Sequence, residues 1–219
     1  QVALLIEMTS STLSGVRESE TRVAMRSPTL RSRSLSLGPI AATVPGRPAE
    51  LHDCLWRRVR EQVEDALVVH RLDMATSGLV LFARGALAQR RLSIAFAQRQ
   101  VQKSYEALAS GRTGAESGRI DLPISADWPN RPRQQVDTVR GKPSTTLWRV
   151  LQRDAPPGTT RLALQPLTGR THQLRVHLAA IGHPLLGDAL YAPDDVAAAS
   201  PRLLLHATDL RFQHPGDGR

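Results

Sequence analysis

Residues 66 to 84, Ala-Leu-Val-Val-His-Arg-Leu-Asp-Met-Ala-Thr-Ser-Gly-Leu-Val-Leu-Phe-Ala-Arg, constrain the chain more than any other stretch. Two short apolar runs, Ala66 to Val69 and Leu79 to Ala83, have the length and composition of buried strands. Between them lie His70, Arg71, Asp73, Thr76, Ser77 and Gly78. A carboxylate and a guanidinium this close, on a turn between buried strands, make a polar site on a rigid base. Asp73 has two readings at this point. It caps backbone N–H groups of a structural turn, as aspartates commonly do, or it belongs to a functional site.

With 219 residues the chain can bury one substantial core, or carry a domain plus an appendage. Hydrophobic content of 41% and charged content of 22% fit a soluble globular protein. No apolar run approaches a membrane span, so no membrane association is expected. Gln1 to Met8 is apolar but brief and has no basic segment before it, which argues against a signal peptide. The first residue is not methionine, and the chain reads as a fragment or a processed product. The single cysteine, Cys54, rules out an internal disulfide and suggests a reducing, cytoplasmic compartment. A net charge of +9 and a sequence pI near 11.1 suggest a polyanionic partner, most often nucleic acid. The competing reading is a basic composition from a GC-rich genome, since Arg greatly outnumbers Lys. Aromatics make up only 4%, so phosphate contacts rather than stacking platforms are expected to dominate affinity.

Residues 1–40 show no period and are punctuated by Ser, Thr and Arg, as in Arg31-Ser32-Arg33-Ser34. They read as a poorly structured N-terminal segment ahead of a folded domain over 41–219. Val44-Pro45-Gly46-Arg47-Pro48 is a loop. Leu51, Leu55, Val59 and Val63 predict an amphipathic helix over 51–63. Gly85 to Gln98 predicts a second helix, with Leu87, Leu92, Ala95 and Phe96 facing inward. Val101 to Ser110 alternates as a strand, so Lys103 and Tyr105 share one face and can line a site. Ile120 to Ile124 is a short strand ended by Pro123. Asp127-Trp128-Pro129-Asn130-Arg131-Pro132-Arg133 is a loop, because its prolines exclude helix and central strand, and it offers one aromatic and two cations to RNA. Thr145 to Leu151, Arg161 to Leu167 and Arg202 to Phe212 are further strands.

Thr168 to Leu178 is the second informative stretch. Gly169 gives a tight turn, and a helix starting near His172 buries Leu174, Leu178 and Ile181 before Gly182 and Pro184 end it. Its N-terminal part carries Arg170, His172, Gln173 and Arg175, where an anion is favoured. Asp194 to Ser200 is a loop or weak helix. Strands joined by both turns and helices predict an α+β fold with a mixed, mainly antiparallel sheet flanked by helices and loops.

The remaining chemistry is narrow. The histidines form no metal signature, and no metal site is expected. Dinucleotide-binding and Walker glycine motifs are absent, as is a Gly-x-Ser-x-Gly elbow, so no cofactor is expected. A hydrolytic glycosidase normally needs two carboxylates. A single one, Asp73, beside cations and a tyrosine suits glycosyl chemistry in which no external water is activated.

His70-Arg71-Leu72-Asp73-Met74-Ala75-Thr76-Ser77-Gly78, Lys103-x-Tyr105 and Gly169-Arg170-Thr171-His172-Gln173-Leu174-Arg175-x-His177 resemble, in that order, the signatures of the RluA-type RNA pseudouridine synthases. Gly182-His183-Pro184-Leu185-Leu186-Gly187-Asp188 and Leu205-His206-Ala207 extend the resemblance over about residues 44–215. The segments Asp127 to Pro132 and Gly141-Lys142-Pro143 are similar to those of a subgroup that modifies both 23S rRNA and tRNA anticodon loops.

The resemblance implies isomerisation of uridine to pseudouridine in structured RNA (tRNA, 23S rRNA or both), without a cofactor, by a monomer. It implies that Asp73 is the essential carboxylate, attacking C1′ or abstracting a sugar proton. It implies that Arg175 pairs with this aspartate, which would favour its ionised form, and that Tyr105 packs on the uracil and handles the C5 proton. Arg71 would enter the RNA where the flipped base was. His70, Thr76, Lys103, Arg170, His172 and Gln173 would bind substrate. Both ends depart from the family pattern: Ser36 to Thr43 lacks the usual Lys-Pro, and the chain stops before a last apolar strand, which reads as a C-terminal truncation. The alternatives are an RNA-binding module without activity and a synthase inactivated by truncation.

Overall fold

A computed structural model describes residues 3–8, 42–45 and 53–216. The Arg31 to Ser34 tract, Gly46-Arg47-Pro48, Leu51 and the last three residues lie outside the described residues. The chain divides into two compact units, 1–102 with 207–219, and 103–206.

The first unit is built on β3 (Ser77–Arg84), which is buried from Ser77 through Ala83. β1 (Ala3–Met8) runs antiparallel to it, pairing Ala3 with Ala83 and Met8 with Gly78. β2 (Ala66–Val68) is also antiparallel to it, pairing Ala66 with Arg84. The two apolar runs are therefore strands, as expected. β1 corrects the expectation that the N-terminal segment lacks regular structure. A short apolar run makes a strand once a buried neighbour supplies backbone partners.

α1 spans Leu55–Gln62 and buries Leu55 and Val59. Its first N–H groups are satisfied by the chain before it, Leu55 N–H on the Ala42 carbonyl at 2.9 Å and Trp56 N–H on that of Thr43 at 3.1 Å. α2 (Ala86–Ala97) buries Ala88 and Leu92, with Ala95 and Phe96 packed beside them on Leu79, Leu81 and Val101. Leu87, expected inside, is 65% exposed. Residues 88, 92, 95 and 96 complete the helical stripe, and Leu87 falls beside it.

In the second unit, β4 (Gln102–Ser110), β9 (Thr159–Pro166), β8 (Thr145–Arg153) and β5 (Ser117–Asp121) lie side by side in that order, each described pair antiparallel. β6 (Ile124–Ala126) and β7 (Gln134–Val136) form a separate antiparallel pair. The strand expected over 120–124 is thus split. β5 ends at Asp121, and Pro123, which lacks an N–H, precedes β6. α3 (Gln173–Ala180) packs Leu174 and Leu178 on Ala107, Val150, Leu162 and Leu164. Ile181 is its C-cap and is 37% exposed rather than core. Gly182 follows at φ +83°, the left-handed end expected of a glycine there. α4 (Asp194–Ala198) is a short surface helix. β10 (Leu205–Arg211) leaves this unit at His206 and enters the first at Ala207. The fold is α+β, and every described register is antiparallel.

Candidate active site

In the first unit the turn between β2 and β3 is held by its apolar and backbone atoms. Leu72 is buried, and its N–H donates to Thr43 Oγ1 at 3.2 Å. Thr76 N–H donates to the backbone carbonyl of Asp73 at 2.9 Å. Thr76 and Ser77 are buried. Arg71 is exposed and Asp73 half-buried, one on each side of Leu72. No side-chain hydrogen bond or ion pair engages the Asp73 carboxylate among the described residues. The capping reading is therefore set aside, because the turn is closed by the main chain of Asp73 and not by its side chain.

His70 stacks on Phe96 with ring centroids 4.6 Å apart, and its Nε2 accepts the Leu81 N–H at 2.9 Å. Its ring ties the turn to β3 and α2. Gly78 starts β3 at φ +112°, where a Cβ would lie 2.3 Å from the Ala207 carbonyl oxygen. Only a glycine combines that conformation with so close a strand.

In the second unit β4 carries Lys103 and Tyr105, both half-buried and on one face. Tyr105 sits opposite Leu164 of β9 and packs against the core. Lys103 Nζ reaches the Thr168 carbonyl at 3.5 Å. The corner at 168–170 is fastened by Gln173. Its Oε1 accepts from Thr168 Oγ1 at 2.7 Å and from Arg170 N–H at 3.1 Å. Its Nε2 donates to the Thr145 carbonyl at 2.9 Å and to Thr146 Oγ1 at 3.1 Å. All four hydrogen-bonding positions of this buried amide are taken, so Gln173 is a clasp and not the substrate ligand expected from sequence.

His172 adopts φ +53° ahead of α3, and its Nδ1 lies 2.6 Å from the Tyr191 hydroxyl. That hydroxyl also accepts the Gln134 N–H at 2.8 Å. Burial raises the Tyr191 phenol above its ordinary range and keeps it protonated at neutral pH. Arg170 is half-buried. Its Nη2 reaches the Pro143 carbonyl at 3.4 Å, while its Nε is buried without a partner.

Arg175 and Asp188 form a buried, two-pronged salt bridge, Nε to Oδ2 at 2.8 Å and Nη2 to Oδ1 at 2.5 Å. Within its own unit Arg175 is thus paired with Asp188, while Asp73, the partner implied by the resemblance, belongs to the other unit. Asp188 Oδ1 also accepts the N–H groups of Leu190 and Tyr191, at 3.0 and 3.2 Å. The Arg175 guanidinium lies 5.0 Å from the centre of the Tyr191 ring. Sequence reading assigned no role to Asp188 or Tyr191. The available signal was a turn aspartate after Gly187, three residues ahead of a tyrosine.

His177 is wholly buried. Its Nε2 donates to the Leu122 carbonyl, and its Nδ1 accepts the Thr146 hydroxyl proton, both at 2.9 Å. Burial depresses its pKa, so it is neutral.

Residues 49–180 match the family described as RNA pseudouridylate synthase. The chain is 49% identical over 173 residues to the dual-specificity RNA pseudouridine synthase RluA of Pasteurella multocida (strain Pm70), covering 79% of this chain and 78% of that one. It is 46% identical over 176 residues to the Escherichia coli (strain K12) protein of the same name, with 80% of each covered. Among solved structures, human RNA pseudouridylate synthase domain containing 1 superposes with a TM-score of 0.68 at 28% identity, covering 83% of this chain and 82% of that one.

Proposed function

The chain belongs to the RNA pseudouridylate synthase family, and from that premise we propose that Asp73 is the carboxylate through which it isomerises uridine in RNA. The observation that carries this reading is a half-buried carboxylate with no hydrogen-bond or ion-pair partner among the described residues, on a turn its own main chain closes. Such a group is free to react with substrate. The C1′–N1 bond breaks, the uracil turns over, and C5 bonds to C1′. The proton lost from C5 balances the one gained at N1. Asp73 acts either as nucleophile at C1′ or as base toward a sugar proton. Tyr105, fixed on β4 against the core, packs on the detached uracil and handles the C5 proton.

Arg175 is a catalytic residue in this reading, its charge balanced by Asp188 and its position fixed by the same bond. Exposed Arg71 fills the gap left by the flipped base, since a planar guanidinium both stacks and hydrogen-bonds. Lys103, Arg170, Thr76 and His172 bind substrate in the same reading. The relatives' names specify dual specificity, which supports more than one RNA substrate, and the resemblance of the segments Asp127 to Pro132 and Gly141-Lys142-Pro143 points to tRNA and 23S rRNA. Residues 41–219 act as the catalytic domain of a monomer in the cytoplasm. The lone, buried Cys54 fits a reducing compartment.

Tritium release from [5-³H]uridine-labelled tRNA and 23S rRNA fragments tests the reading. Release by this chain and none by Asp73→Asn, with RNA binding retained by both, is the expected result. Equal release by both would remove Asp73 from the chemistry, and no release by either would favour a binding module.

A further inference from the structure

The loop between β6 and β7 presents Trp128, which is 66% exposed. All eight aromatic side chains fall within the described residues, and Trp128 alone among them is exposed. The Arg131 guanidinium lies over its ring, 3.6 Å from the centroid. With two-thirds of the residue still in solvent, that cation covers only part of the indole. The loop is held in shape. The Asn130 amide donates to both Asp127 carboxylate oxygens, at 3.1 and 3.0 Å, and Asp127 N–H donates to the Arg133 carbonyl at 3.0 Å. Pro129 and Pro132 restrict the backbone between. The base of the hairpin is anchored in its own unit by the Gln134 N–H on the Tyr191 hydroxyl.

We propose that Trp128 and Arg131 form a stacking platform for one unpaired nucleobase of the RNA substrate, separate from the uridine that reacts. The proposal rests on the reading of this chain as acting on RNA. An exposed indole on an ordered loop has its apolar area still to bury. A guanidinium already stacked on it is planar, positively charged and matched to both a base face and the adjoining phosphate. Stacking on such a surface tolerates any base, because every base has a π-face. Single-stranded and loop nucleotides present that face where duplex nucleotides do not. The platform adds an affinity element that the low aromatic content argued against, concentrated in one residue and preformed.

The test measures binding and turnover separately on a tRNA anticodon stem-loop and a 23S rRNA hairpin, with one abasic nucleotide moved through the unpaired positions other than the target. Trp128→Ala is expected to weaken binding by roughly tenfold, the scale of one base on one aromatic ring. kcat at saturating RNA should stay within about twofold. Trp128→Phe should keep most of the affinity. Arg131→Lys should lose much of it although the charge remains, which a purely electrostatic contact would not do. One abasic position should weaken the unmodified protein and leave Trp128→Ala unaffected. The platform is refuted if Trp128→Ala binds as tightly as the unmodified chain, or if no abasic position couples to it. Failure of the catalytic reading has a different signature, with binding dependent on Trp128 and no pseudouridine formed.

Discussion

Asp188 and Arg175 bind each other through both carboxylate oxygens, at 2.8 and 2.5 Å, with the two side chains 1% and 4% exposed. Removing one partner leaves an uncompensated charge in the interior, a loss of about 3–5 kcal/mol. Asp188→Ala should therefore lower the urea midpoint steeply, and it also frees the N–H groups of Leu190 and Tyr191. The double variant Asp188→Leu with Arg175→Met should recover most of that stability while remaining inactive. If Asp188→Ala unfolds at the same urea concentration as the unmodified chain, the bridge has no structural weight.

His177 makes stability depend on acid. Burial lowers its pKa below the ordinary 6.5, so the unfolded chain takes up a proton more readily than the folded one. Stability from this group is fully present above about pH 6.5 and is lost as pH falls toward the lower folded value. His177→Gln retains a donor for the Leu122 carbonyl and an acceptor for Thr146 without titrating. Urea midpoints at pH 7.5 and 5.5 should differ more for the unmodified chain than for this variant. Equal differences would mean that other groups account for the acid sensitivity.

The strands around Asp73 were legible because burial on both faces leaves an unbroken apolar run, as in Leu79 to Ala83. α2 was legible in extent but rotated, since Leu87 looks inward until Ala88 and Leu92 are seen to complete the stripe. β1 was not legible. A short run such as Ala3 to Ile6 makes a strand only if a distant segment pairs with it, and local pattern does not carry that partner. At the site, Asp73, Tyr105 and Arg175 stood out by residue type and order. Asp188 and Tyr191 did not, because they act on Arg175 and His172 across sequence gaps of 13 and 19 residues. Gln173 shows the converse. Its polar side chain at a helix start suggested a ligand, whereas its hydrogen bonds all turn inward.

Gln173 and Arg170 should accordingly separate in experiment. Gln173→Leu leaves the Arg170 N–H and the Thr168 hydroxyl proton without their acceptor, costing about 2–3 kcal/mol. Its defect should appear in unfolding curves and leave the salt dependence of RNA binding unchanged. Arg170→Ala should melt within a few degrees of the unmodified chain and bind RNA more weakly. Its slope of log affinity against log salt should fall by about one phosphate contact. A changed salt slope for Gln173→Leu would reinstate it as an RNA ligand.

Gly78 closes the motif that holds Asp73, and two independent causes forbid a side chain there. Its φ of +112° lies where L-residues are strained. A Cβ would also stand 2.3 Å from the Ala207 carbonyl oxygen and 2.4 Å from its nitrogen, and backbone in a strand cannot move aside. Gly85 provides the control. It has φ +79° but nothing within 4 Å of an added Cβ, so Gly85→Ala bears the conformational cost alone, about 1–2 kcal/mol. Gly78→Ala should cost about 2–3 kcal/mol beyond that. The excess would be visible as the difference between two urea titrations on otherwise identical chains. Because the clash displaces β3 at its first turn, tritium release should fall with it even under conditions where the variant remains folded. Equal stabilities for the two substitutions would show that β3 and β10 have room to part at this point, and that the Asp73 turn does not depend on their close approach.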